Sequence, residues 1–255
     1  MSPIALVGRQ IRWEQKSYWR NPAAATFTFA FPLLFLVVFI AINGNERVSV
    51  SGGNVRFAQY YVPAILAFGL ISACYTSLAF TICIRRENGL LKRTRGTPLS
   101  PTVYLLGIVG SGVVVSVILC ALVMTLGFTV YGVTWPGHVI GLVLTILCAT
   151  FCFSSIGMLV SSVVPNEDAA PAIINFVLFP LLFISGTFGA VEPDSFIGRL
   201  ANVFPVRHLN ESMVSVFNPF GAGNGIEWGH LGVMMLWGSA ALVLALNGFR
   251  WEPRR

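Results

Sequence analysis

Ile84-Arg85-Arg86-Glu87-Asn88-Gly89-Leu90-Leu91-Lys92-Arg93-Thr94-Arg95-Gly96-Thr97-Pro98-Leu99-Ser100 interrupts a sequence that is otherwise mostly hydrocarbon. Five of these residues are basic, and apolar runs flank them, from Tyr60 to Cys83 and from Val103 to Thr125. So polar a segment cannot lie among lipid tails, so it marks a membrane face.

The rest of the composition agrees. Of 255 residues, 55% are hydrophobic and only 10% charged, with a mean hydropathy of +0.77. A soluble domain carries about 25% charge, so this chain lacks the polar residues to cover a water-facing surface. The net charge of +6 would raise nucleic acid as a partner in a soluble protein. Here the cations cluster at the ends of apolar runs, where orientation signals and anionic headgroups account for them and no nucleic acid is expected.

The expected fold is all-α and membrane-integral, a single domain over 1–255 with six spans at about 23–42, 60–83, 104–128, 139–164, 169–185 and 231–249. The first and third are close to or above the ~20 residues that cross a bilayer core. Before the first span, Ile4 to Arg20 interleaves aromatics with Arg9, Arg12, Trp13, Lys16 and Arg20, which suits a helix lying in the headgroup layer. Pro32 is expected to kink the first span, and Asn43 to Gln59 reads as a polar loop. Gly107, Gly110 and Gly112 invite close helix contact in the third span. From Gly186 to Gly229 glycine and proline break the chain into short pieces, with two amphipathic fragments at about 194–203 and 206–217. No signal peptide is read at the start, where the first apolar run follows a charged segment.

Six spans place both termini on one side. That side carries twelve of the sixteen Lys and Arg residues, and the other only Arg47, Arg56, Arg199 and Arg207. The termini and the basic insert are therefore expected in the cytoplasm, and the Gly/Pro-rich segment outside.

No catalytic signature is present: no phosphate-binding Gly-x-x-x-x-Gly-Lys-Ser/Thr, no His-Glu-x-x-His, no Gly-x-Ser-x-Gly. Cys148 and Cys152 share a helix face, but with no His or carboxylate beside them they read as packing residues. No metal site and no bound cofactor are expected. His138, His208 and His230 are scattered toward the outer face. No acidic residue lies near the middle of a span, which argues against a carrier driven by its own ion coupling. Energy would have to arrive from a soluble partner, and the insert has the parts to receive it. Its cations supply charge, Ile84, Leu90 and Leu91 apolar contact, Gly96 a bend and Pro98 a stop. An ordinary positive-inside loop would share many of these residues.

The chain resembles the membrane subunit of a type-2 ABC exporter, and most closely the bacterial drug- and antibiotic-resistance permeases. The resemblance rests on the amphipathic N-terminal segment and on Glu87-Asn88-Gly89…Leu91…Gly96-Thr97-Pro98-Leu99. It also rests on Ser185-Gly186-Thr187-Phe188 and on Phe204-Pro205-Val206-Arg207-His208-Leu209. It implies a permease that is not itself an enzyme, paired with a second identical or paralogous copy in a bacterial plasma membrane. Two ABC ATPase subunits would dock below and hold ATP and Mg. The coupling helix would be 84–98, contacting the ATPase through Arg85, Arg86, Glu87, Asn88, Gly89, Leu90, Leu91, Lys92, Arg93, Thr97 and Pro98. Arg9, Arg12, Trp13 and Lys16 would form a second contact. The segment 192–217 would be re-entrant external helices, with Gly186, Gly189 and Pro205 as hinge or re-entrant positions. The path would run along the first, second and fifth spans, past Phe27, Phe31, Phe35, Asn175 and Pro180. The cargo implied is a hydrophobic or amphiphilic compound such as a drug, antibiotic or lipid. Export of a lipid-linked polysaccharide, and a non-transporting anchor or sensor role, are the competing readings.

Overall fold

The structure is a computed structural model and describes residues 2–50, 53–96, 99–186, 195–220 and 224–248. Ser2 opens the first helix, α1 (Pro3–Trp19), by accepting a hydrogen bond from the Ala5 amide, with Pro3 pre-set at the first turn. α1 lies along α6 (Pro101–Tyr131). Gly107 and Gly110 make that approach possible: a Cβ at either position would collide with Gln10 or Ile11. Gln15 adds a polar tie, its Nε2 donating to both the carbonyl and the hydroxyl oxygen of Ser111 at 2.9 Å.

α2 (Pro22–Asn43) runs on through Pro32 as one helix. After it comes a departure from the expected polar loop. Arg47–Val50 (β1) and Gly53–Arg56 (β2) form an antiparallel hairpin in the register Arg47↔Arg56 and Val48↔Val55. Asn45 and Arg56 both donate to the Tyr131 carbonyl, at 3.0 and 3.3 Å, which pins the hairpin to the end of α6.

α3 (Phe57–Ile71), a π-turn (Ser72–Thr76) and α4 (Ser77–Glu87) form one continuous helical rod. The rod is 31 residues long, or about 46 Å at 1.5 Å per residue, so its ends project beyond a ~30 Å hydrocarbon core. α3 is apolar on every side and is buried accordingly, from Tyr61 to Ile71 without a break. It sits among α2, α6, α7 (Val139–Val163) and α10 (Pro205–Phe217). α7 in turn packs tightly on α11 (Trp228–Gly248), where a Cβ at Gly238 would lie 2.8 Å from the Phe151 ring.

Five described helices are long and apolar enough to cross a membrane: α2, the α3–α4 rod, α6, α7 and α11. The expected fifth span is shorter. α8 (Ala170–Ile184) has 15 residues, about 22 Å, and ends where Gly186 takes a left-handed conformation with φ 81°. At the same end of the bundle α9 (Phe196–Ala201) and α10 follow the expected fragments closely. α10 is packed into the bundle against α3, α7 and α11. Gln59 secures that end, donating to the Phe217 carbonyl at 2.8 Å and accepting from the Thr134 amide at 2.7 Å.

Candidate functional site

The basic insert divides differently from the expected single helix over 84–98. Residues 84–87 are the last turn of α4, so Arg85, Arg86 and Glu87 belong to the spanning rod. Asn88 closes that rod by donating to the Ile84 carbonyl at 3.0 Å, and Gly89 reverses the chain at φ 66°, which suits a residue without a Cβ. A separate helix, α5, then covers only Leu90–Arg95. Leu91 is its anchor, fully buried with Ile82, Ile108, Met158 and Ala245. Leu90, Lys92 and Arg93 remain exposed, so α5 is a short cationic ridge held by one apolar pin. Thr97 and Pro98 lie outside the described residues.

Arg85 and Arg86 make their contacts within the chain. Arg85 forms a two-pronged pair with Glu14, at 2.9 and 2.6 Å, and also donates to the Tyr104 hydroxyl at 3.0 Å. α1, the α4 terminus and α6 are thereby joined at one guanidinium. Arg86 is 1% exposed. It donates to the carbonyls of Ser161 and Val164 at 2.9 and 2.6 Å. Those carbonyls end α7, where no following turn supplies donors and the helix dipole is negative. Arg86 therefore caps α7 and fastens it to α4.

α1 separates its two tasks by face. Gln10, Ile11, Glu14 and Gln15 meet α6 or Arg85. Arg9, Arg12, Trp13 and Lys16, spaced at i, i+3, i+4 and i+7, are exposed. Lys16 Nζ stands 5.5 Å from the Trp13 ring centroid, a cation–π contact. The basic end thus presents two exposed cationic surfaces, one on α1 and one on α5, on a frame locked by Arg85 and Arg86.

The expected path residues do not form one site in a single chain. On α2, Phe27 is 72% and Phe31 43% exposed, while Phe35 packs on Phe31, Phe39 and Phe68 at centroid distances of 4.8, 5.8 and 5.7 Å. On α8, Asn175 is half-buried and Pro180 exposed, next to the exposed rings of Phe176, Phe179 and Phe183. α2 packs on α3 and α1, whereas α8 packs on α4 and α9. The chain therefore carries two separate outward aromatic faces.

Of the hinge positions, Gly186 ends α8 and Pro205 is the buried first residue of α10; Gly189 lies outside the described residues. The histidines are less scattered than expected. His208 and His230 approach with Nδ1 atoms 2.7 Å apart, and His208 Nε2 lies 2.8 Å from the Asn202 carbonyl. Among the described residues no three His, Cys, Asp or Glu side chains gather as metal ligands, and all five cysteines are free.

Sequence reasoning missed the Arg85–Glu14 pair, the Arg86 cap and the His208–His230 contact. One signal for the first was available: Glu14 is the one carboxylate before Glu46, within a helix otherwise rich in cations. The other two join segments too distant in sequence for any local pattern to reveal.

Comparison with known proteins bears on this arrangement. The family model described as "ABC-2 type transporter" matches residues 5–218. A curated relative from Escherichia coli K12, "Probable multidrug ABC transporter permease YbhR", is 20% identical over 165 residues, covering 64% of this chain and 45% of the relative. The protein of the same name from Escherichia coli O157:H7 matches equally. The matched region thus spans under half the length of these relatives.

Proposed function

Since the chain belongs to the ABC-2 type transporter family and is a multi-pass membrane permease, we propose that it exports a hydrophobic or amphiphilic compound using ATP hydrolysed by separate subunits. The observation that carries this reading is α5, an exposed cationic ridge pinned by Leu91 between two helical rods of about 46 Å. A ridge so placed can take a push from a soluble partner and pass it along both rods. In this reading two ABC ATPase subunits seat on Leu90, Lys92 and Arg93 and on the Arg9, Arg12, Trp13 and Lys16 face of α1. Their ATP and Mg stay on the partner. The termini face the cytoplasm of a bacterial plasma membrane, following the excess of Lys and Arg at that end.

A second copy or a paralogous permease completes the path by bringing the aromatic face of α2 against that of α8. Such a lining is bulky and apolar, which fits the proposed cargo, and the multidrug designation of the relatives agrees in class. Gly186 and Pro205 would bound the moving external segment.

The test is to purify the tagged chain in mild detergent from its native cells, identify what co-purifies by mass spectrometry and assay the eluate for ATPase activity. Recovery of an ABC ATPase, lost when 90–95 are replaced by a neutral linker, supports the reading. Recovery unaffected by that replacement refutes the role of α5. Absence of any ATPase favours the anchor or sensor role.

A further inference from the structure

Between α1, the π-turn, α4, α6 and α7 lies a cavity of about 310 Å³. The exposed Ile84 and Leu90 line it at the basic end beside the Glu14–Arg85 pair, and the buried Ala73, Cys74 and Ser154 line it on the side of the π-turn and α7. Arg85 and Cys74 are eleven residues apart on the rod, about 16 Å at 1.5 Å per residue. Part of that length lies beyond the core, so the cavity enters a ~30 Å hydrocarbon core without reaching its middle.

Its lining mixes apolar side chains, among them Leu78, Ile108 and Val115, with uncharged polar groups. Glu14 and Arg85 neutralise each other at the basic end. The lining also offers Ser17, Ser77, Ser111 and the Cys74 thiol, itself 3.2 Å from the Ser116 hydroxyl. Ser154 is fully buried beside the Cys74 thiol, and its hydroxyl makes no well-aligned hydrogen bond among the described residues. A buried hydroxyl without a good partner is unfavourable in the membrane, so a group that satisfies it is favoured there.

Two features keep the space open. Ala73 and Cys74 lie on the π-turn, whose widened backbone interrupts the regular helical ladder, a feature recurrent at functional sites. Gly112 faces the cavity with nothing within 4 Å of where a Cβ would be, unlike Gly107 and Gly110, whose missing side chains are replaced by α1. At the basic end Ile84 and Leu90 are each 46% exposed and offer an apolar seat. The volume suits a small ligand group, near the lower end of the ~300–1,000 Å³ range of ligand sites.

We propose that this cavity binds the uncharged, hydroxyl-bearing head of a single-chain amphiphile that enters from the leaflet at the basic end. The head reaches toward Ser154 and the hydrocarbon chain leaves past Ile84 and Leu90. The site lies within one copy of the chain and needs neither an ATPase nor a second permease, so its test stands apart from that of the exporter reading.

The probe is monooctanoylglycerol, with glycerol and octanoate as comparators. Cys74 is replaced by serine, which keeps a polar hydrogen-bonding group in the lining, and the other four cysteines by alanine; Ser77→Cys is introduced as reporter, and its labelling by a small methanethiosulfonate is timed in nanodiscs. Monooctanoylglycerol at about three times its Kd should slow labelling about fourfold. Glycerol and octanoate at equal concentration should not, and Gly112→Leu, which fills the cavity, should abolish the protection. Four results would overturn the site: no labelling of the reporter, no protection, protection that survives Gly112→Leu, or equal protection by a comparator. Equal protection by glycerol would point to a soluble polyol, and by octanoate to an anion. If the cysteine-free chain does not purify as a single species, the thermal shift of the native chain with the same probes decides. A stabilisation specific to monooctanoylglycerol and lost in Gly112→Leu supports the site; its absence refutes it.

Discussion

Arg85 and Glu14 meet across 71 residues of sequence through two contacts of 2.9 and 2.6 Å. That pair fixes α1, the expected second docking surface, to the end of the rod that leads into α5. It is shielded, with side-chain exposures of 17% and 8%, so removing one partner leaves a charge poorly solvated.

Glu14→Gln should therefore lower stability by about 2 kcal/mol, read as a reduced thermal unfolding temperature in detergent. The double variant with Arg85→Gln should lose less than the two single losses combined, because neither charge is then left alone. Strict additivity would show that the pair carries no coupling.

Arg86→Ala should destabilise by about 3 kcal/mol, with protein yield and thermal stability falling together. The cause is loss of the α7 cap at Ser161 and Val164. Arg86→Lys should recover only part, since an ammonium cannot span two carbonyls in the planar fork of a guanidinium. A stable, folded Arg86→Ala chain would contradict the capping role.

The two leucines of α5 should behave oppositely. Leu91→Ala removes a fully buried anchor and should cost about 3 kcal/mol. Leu90→Ala and Lys92→Glu, at exposed positions, should change stability by less than about 0.5 kcal/mol. In the exporter reading those exposed variants instead lose ATPase recovery in the purification.

Burial lowers the pKa of His208, with His230 and Arg207 acting the same way and the Asn202 carbonyl and Glu211 opposing. The folded chain thus binds fewer protons at this site than the unfolded one. Its stabilising contribution is present above the ordinary histidine value of 6.5 and is lost as pH falls through it toward the depressed folded value. Thermal stability should drop between about pH 7.5 and pH 5 by more in the native chain than in His208→Asn. Equal drops would assign the acid sensitivity elsewhere.

Much of this fold was legible because bilayer geometry leaves few options for long apolar runs. α2 and α7 fall within about a residue of the expected spans, and α9 and α10 match their fragments, since proline and glycine mark their limits. The insert was harder to read. Arg85 and Arg86 read as charges a coupling helix offers to a partner, and each finds a counter-group on another element of the chain, Glu14 on α1 and the open end of α7. That pairing lets the rod continue to Glu87. Val48 and Val55 sit in strands of four residues each, too short an alternation to announce the hairpin. Gly112 reads in sequence like Gly107 and Gly110, and only the placement of α1 distinguishes a contact from a cavity wall.

The central claim is that α5 is a docking ridge for a soluble ATPase, and site-directed photocrosslinking in native cells tests it most directly. A benzophenone side chain is placed at Lys92, exposed on α5, and as a control at Val143, exposed on α7. The account predicts a crosslink to an ABC ATPase from position 92 and none from position 143. Crosslinks from position 92 only to lipid or to proteins without a nucleotide site would contradict it.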